Sequence, residues 1–438
     1  MNILAIPAVA ITFFSLVICY RNNKSLLYPG VLFNFIWTFA IIANQVNLNG
    51  FYPVHEKTYL AICIGLIAFN IPFLYAKTGG IGSQEFDIDS ISDKSVQIIL
   101  LIQVILLLLI IPLAIKAIPF YGLYGSNGFR TIVAESIKFG YMNTLERMIY
   151  IHYGVFPLSL VTNSIMIFLW VNGVTKLSFL LLGMINEGLI SYCTGSRGNF
   201  LIVMFVLIQT IMFSNESRQF FSSLMRKIKR QVKWVVMALV AVLIFISVQR
   251  GNVGEGNFLV EFARTISGNF SGGIQLFDLA LQKPSEWGLE NYYCGIATLN
   301  GFLQILALLI SIVTLRHINI RIPSVTSYAS GFFHVSATQT MNAYVTVFYT
   351  FMQDLGWLGL IVEPVIIGGI AVRNFRRAKN DPSMYNMLIL AYLNIVLLFS
   401  TIRWRLMLTD WASMFIYVYL LCRILQGKNF KSRIRLKR

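Results

Sequence analysis

The residues best suited to chemistry are arginines at the ends of apolar runs. Arg197 lies in "TGSRGNF" between the runs 174–193 and 199–214, Arg250 follows the run 233–249, and Arg403 follows the run 384–402. Arg130 and Arg264 stand in polar stretches on the same side of the chain, with Arg147, Arg316, Arg321 and Arg405. A guanidinium binds phosphate through two parallel N–H bonds and keeps its charge at any physiological pH. A ring of such forks at one face of an apolar slab suits a lipid-linked diphosphate. The ordinary alternative is a side chain reaching for lipid headgroups, and Arg316, Arg321 and Arg405 are read that way. Arg197 differs, because Gly195 and Gly198 flank the Ser196–Arg197 pair. These glycines permit positive φ and close backbone approach, and Ser196 adds a hydroxyl. A tight turn between antiparallel helices would account for the glycines but not for the arginine.

Proton acceptors are fewer. Asp354 opens "FMQDLGWLGLIVEP" where a polar stretch enters an apolar run; an aspartate there also serves as a helix N-cap, and the two roles are compatible. His334, in "GFFHVSATQTMN", is a neutral base candidate whose plain role is a local hydrogen bond. Glu187 lies inside an apolar run, so it must face the bundle interior or water, or pair with an arginine of another helix. Glu363, before Pro364, poses the same question. "FDIDS" (86–90) has an Asp-x-Asp spacing but reads as a solvated acidic loop with Glu85 and Asp93. The five cysteines form no CxxC pair and the four histidines are dispersed, so no metal and no cofactor are expected. No nucleotide fingerprint is present, so the energy of any reaction must arrive in the substrate.

The elements that position these groups follow from composition. A 438-residue chain with 57% hydrophobic and 12% charged residues and a mean hydropathy of +0.70 is no soluble globular domain. Its runs are long enough to cross hydrocarbon as helices and lack the alternation of barrel strands. The expected fold is an all-α polytopic membrane protein with about eleven transmembrane helices, near 2–20, 26–44, 58–76, 96–118, 151–171, 174–193, 199–214, 233–249, 355–372, 384–402 and 410–423. Arg21, Lys24, "RKIKRQVK" (226–233), the "RNFRRAK" turn (373–379) and the basic tail mark the cytoplasmic side. The N-terminus is then outside and the C-terminus inside. The net charge of +17 is explained by membrane topology and needs no nucleic acid, while the tail suits anionic lipid. Three regions result: a bundle over 1–249 with an external loop at 119–150, a long external loop at 250–354, and the spans and tail of 355–438. The apolar but short segment 299–315 is expected as a re-entrant or interfacial helix within the long loop.

"GSRGNF" (195–200), the "SVQRGN" exit of the eighth run, "FSGGIQLFD" (270–278) and "NAYVTVFYTFMQDLGWLG" (342–359) together resemble the Wzy-type O-antigen and oligosaccharide repeat-unit polymerases. "NAYVT" and "DLG" stand where that family usually shows Asn-x-Tyr-Thr and Asp-Phe-Gly. The resemblance implies a GT-C-like, metal-independent inverting glycosyltransferase of the bacterial inner membrane. It would join undecaprenyl-diphosphate-linked repeat units at the external face, alongside a chain-length regulator and a flippase. It also implies that Arg197 and Arg250 hold the diphosphate. Two competing readings are an O-antigen ligase, in which a His-Asn pair is usual where this chain has His334–Val335, and a lipid-linked oligosaccharide flippase, which would have short loops on both faces.

Overall fold

The computed structural model describes residues 2–76, 93–196, 198–213, 258–315, 318, 333–337, 339–341 and 345–426. Among these the regular structure is helical, apart from a two-stranded antiparallel ribbon pairing Phe333 with Met341 and His334 with Thr340, and an isolated Val345–Arg403 bridge. Seven helices are long and apolar enough to cross a membrane: Ala5–Asn23, Pro29–Val46, Glu56–Tyr75, Lys94–Gly125, Thr144–Val171, Leu177–Thr194 and Val347–Asn380. Gly198–Phe213, Asn300–Thr314 and Met384–Leu398 are shorter apolar helices. The chain is an all-α protein of the multi-pass membrane type. Each run expected to span coincides with a helix except 233–249, which lies outside the described residues. The basic run 226–233, the "FDIDS" loop and the basic tail lie outside them too.

Three stretches differ locally from expectation. The stretch 119–150 is largely helical: the helix Asp93–Ala134 passes through Pro112 and Pro119 and breaks at Gly125, where φ is +63°. Prolines are tolerated inside membrane helices, where neighbouring helices and local 3₁₀ or π adjustments re-satisfy the freed backbone groups. Helix resumes at Thr144–Arg147, where Asn143 and Glu146 cap each other's backbone N–H groups, and continues as the π-helix Met148–Tyr153. The stretch 250–354 holds, besides the expected short helix at Asn300–Thr314, a helix of 25 residues, Phe258–Gln282. The "RNFRRAK" stretch is no turn, because the helix Gly359–Asn380 meets no breaker until Asp381-Pro382.

The chain divides into two compact units. Residues 1–81, 255–379 and 393–412 form the first. Its interior is a run of aromatic contacts: Tyr28 with Phe375, Phe33 with Phe69, Trp37 with Phe348, and Phe351 with Trp404. Lipid is as apolar as a side chain, so such helices associate by close packing and by hydrogen bonds between them. Asn34 and Asn70 exchange amide bonds of 2.7 and 3.0 Å. The Trp37 indole N–H donates to Ser400 Oγ at 2.9 Å.

Residues 82–254, 380–392 and 413–438 form the second unit, with a core that includes Leu106, Ile110, Phe129, Tyr141, Phe156 and Ile190. Tyr121 stacks against both Phe129 and Tyr192, at 4.1 and 4.5 Å between centroids. The hydroxyls of Tyr121 and Tyr141 donate to the carbonyls of Tyr192 and Cys193. Both carbonyls lie in the last turn of helix Leu177–Thr194, where that of Tyr192 also accepts from the Gly195 N–H.

Candidate functional site

In the first unit the strongest constellation begins with the arginine-bearing turn between Leu398 and Thr409. Arg405 lies over the Phe399 ring, 4.3 Å from its centroid, and 5.7 Å from that of Trp411. Stacking on two rings fixes this guanidinium. Arg403 is half-buried, and its Nε is buried with no hydrogen-bond partner among the described residues. Burial pushes the Arg403 pKa down from the ordinary arginine value, and the charge of Asp410 opposes that shift. An arginine cannot release its proton at any physiological pH, so an incompletely paired, half-buried fork is a ready anion receptor. The backbone around it is rigid: Val345 bridges Arg403, the Val347 N–H donates to the Ser400 carbonyl at 2.8 Å, and the Trp404 indole donates to the Thr298 carbonyl at 3.0 Å.

The helix Phe258–Gln282 abuts this turn. A Cβ on Gly273 would overlap the Thr401 carbonyl oxygen, and one on Gly272 would overlap the Met341 sulfur. The glycine pair of "FSGGIQLFD" therefore seats the helix against both the arginine turn and the 333–341 ribbon. The same helix forms one wall of a cavity of about 370 Å³, which Tyr52, His55, Gln275, Asp278, Gln282 and His334 help to line. The 333–341 ribbon is fastened there through the Tyr52 N–H, which donates to the Val335 carbonyl at 2.9 Å. Buried Asp278 accepts from the His55 backbone N–H at 2.9 Å and from Thr58 Oγ1 at 2.5 Å, both through Oδ1. Its Oδ2 meets His55 Nδ1 at 3.0 Å and Gln282 Nε2 at 2.6 Å. The His55 side chain is 61% exposed, the Asp278 side chain 6%.

Asp354 is fully buried, and its two oxygens accept the backbone N–H groups of Ala297 and Thr298, each at 2.8 Å. It sits one residue before the C-terminus of helix Val347–Leu355 and holds the turn that precedes Asn300–Thr314, so it does not take the N-cap role that its place in the sequence also allowed. Glu363 accepts the Thr298 hydroxyl at 2.5 Å through Oε2, while its buried Oε1 has no hydrogen-bond partner among the described residues. His334 lies on the ribbon, exposed, at the cavity wall. Arg264 is exposed on the helix Phe258–Gln282, and its carbonyl accepts from Asn49 Nδ2.

The second unit carries the other candidates. Gly195 closes helix Leu177–Thr194 in the left-handed region, at φ +59°. Gly198 is not among the positive-φ residues; it opens helix Gly198–Phe213, and its N–H donates to Ser196 Oγ at 3.3 Å. Ser196 thus acts first on the entry of that helix. Glu187 is fully buried, and among the described residues it accepts from Ser159 Oγ at 2.9 Å and Asn199 Nδ2 at 3.2 Å. Arg130 belongs to the last turns of Asp93–Ala134. Arg197 and Arg250 lie outside the described residues.

Sequence reading missed His55 and Asp278, which are 223 residues apart. The only available signal was the aspartate closing "FSGGIQLFD". No family model matches the chain, and neither a curated protein nor a solved structure does.

Proposed function

We propose that this chain is an O-antigen or related surface-polysaccharide polymerase, a GT-C-like inverting glycosyltransferase with about eleven transmembrane helices. It takes undecaprenyl-diphosphate-linked oligosaccharide at the external face of the bacterial inner membrane, with the N-terminus outside and the C-terminus inside. The observation that carries this reading is the arginine turn: Arg405 fixed on aromatic rings, and beside it Arg403, whose buried Nε has no hydrogen-bond partner among the described residues. In a chain of membrane-length helices, such a fork suits an anionic group held at the lipid surface. In the transfer, an acceptor hydroxyl oxygen bonds to the donor's anomeric carbon. The bond from that carbon to the diphosphate breaks, its electron pair leaves on the diphosphate oxygen, and the hydroxyl proton passes to a base. Fixed guanidiniums stabilise the charge that grows on the leaving group. Arg403 takes this role in the first unit; Arg197, Arg250, Arg264 and Arg130 keep it from sequence.

Full-length protein reconstituted in lipid nanodiscs with lipid-linked repeat units should build a ladder of lengthening products. Arg403→Lys keeps the charge but loses the planar fork, and should slow the reaction roughly a hundredfold, about 2–4 kcal/mol of transition-state stabilisation. Loss of the chain from its host should leave surface core capped with single repeat units. Absence of any capped core would make it a ligase instead, and repeat units retained in the cytoplasm a flippase.

A further inference from the structure

We infer that the cavity walled by helix Phe258–Gln282 is the acceptor-sugar subsite, and that His55, oriented by Asp278, is the base that takes the acceptor's proton; this rests on the polymerase reading. The geometry separates this from a purely structural role. Holding the start of helix Glu56–Tyr75 needs only Asp278 Oδ1, which receives the His55 N–H and the Thr58 hydroxyl. Oδ2 is given to the imidazole and to Gln282 instead. Gln282 Nε2 also lies 2.8 Å from Nδ1; in the tautomer that gives its Nδ1–H to the buried carboxylate, Nε2 is the basic nitrogen, and the carboxylate faces the imidazolium once Nε2 has taken a proton. The ring is largely exposed, so it contributes little packing.

The walls suit a neutral, hydroxyl-rich ligand. Tyr52 offers an exposed aromatic face, Gln282 an exposed amide, and His334 a second imidazole from the ribbon. A volume of about 370 Å³ is within the range of small-molecule sites. Position supplies the rest. Asp278 is five residues beyond Gly273, which touches Thr401, two residues before Arg403. Five helical residues rise about 7.5 Å. One rigid helix therefore carries the carboxylate that orients the base and, about 140° around its axis, the glycine that abuts the leaving-group receptor. With an acceptor bound, its hydroxyl proton goes to His55 Nε2, its oxygen bonds to the donor's anomeric carbon, and the lipid diphosphate departs with the electron pair.

The test is polymerisation by reconstituted full-length protein from lipid-linked repeat units, with and without free imidazole in the buffer. His55→Ala should lose roughly a hundredfold or more in rate at unchanged protein level in the membrane, and imidazole should restore it several-fold. Asp278→Asn should also be slow, and imidazole should not relieve it. His55→Ala working at the wild-type rate would overturn the inference and leave the polymerase reading standing. Inactive His55→Ala that imidazole does not revive would make His55 structural and overturn it as well. Wild-type protein that forms no polymer would remove the polymerase reading and the inference together.

Discussion

Both oxygens of Asp354 are taken up by the backbone N–H groups of Ala297 and Thr298, inside a fully buried site. Asp354→Asn turns one acceptor into a donor pointed at a donor, leaving a buried N–H unsatisfied at a cost of about 1–3 kcal/mol. Thermal unfolding in detergent should shift down by several degrees, with activity falling no further than the folded fraction. Wild-type thermal stability with abolished transfer would instead put Asp354 in the chemistry. The contrast with His55 shows what single residues disclose in a sequence. Asp354 stands out in a chain with only 18 acidic residues, yet its neighbours, which decide its work, lie 56 and 57 positions away. His55 sits in "YPVHEKTY" with nothing to mark it, because the carboxylate that gives it meaning arrives from a distant helix. Glu187 was legible as buried, and its partners Ser159 and Asn199 were not.

At the scale of elements, apolar length was the readable signal, and the helices at the expected spans follow it. Phe258–Gln282 escaped because "SGNFSGG" reads as a breaker-rich loop, when its glycines are places of close approach. The two central glycines make unequal demands. Gly272→Ala would press on the thioether of Met341, the far end of a flexible side chain that can move aside. Gly273→Ala would drive a methyl into the Thr401 carbonyl, which is backbone and cannot. Gly273→Ala should therefore lower the amount of folded protein in membranes several-fold, and Gly272→Ala should change it little. Equal effects in a quantitative membrane blot would show that the helix does not seat on Thr401.

For the molecule as a whole, the excess of 35 basic over 18 acidic residues is read as a record of orientation. Reporter fusions after positions 225 and 430 should be cytoplasmic, and one near 285 external. An external signal at 430 would mean that Asn300–Thr314 crosses the membrane and that the late helices run the other way. Positive charge offers a reading of orientation that the fusions test, whereas the packing of the helices depends on contacts hundreds of residues apart, such as Trp37 with Ser400. The helix Phe258–Gln282 also sets what kind of variation the chain can accumulate. A single residue inserted between Gly273 and Asp278 would swing the carboxylate about 100° around the helix axis, away from His55, while Gly273 stayed on Thr401. Substitutions at Leu276 or Phe277 alter only packing, but a change in the number of residues breaks the phase between the two contacts. That interval behaves as a gauge of fixed count, so drift in the lineage of this chain can rewrite its letters but cannot add or remove one.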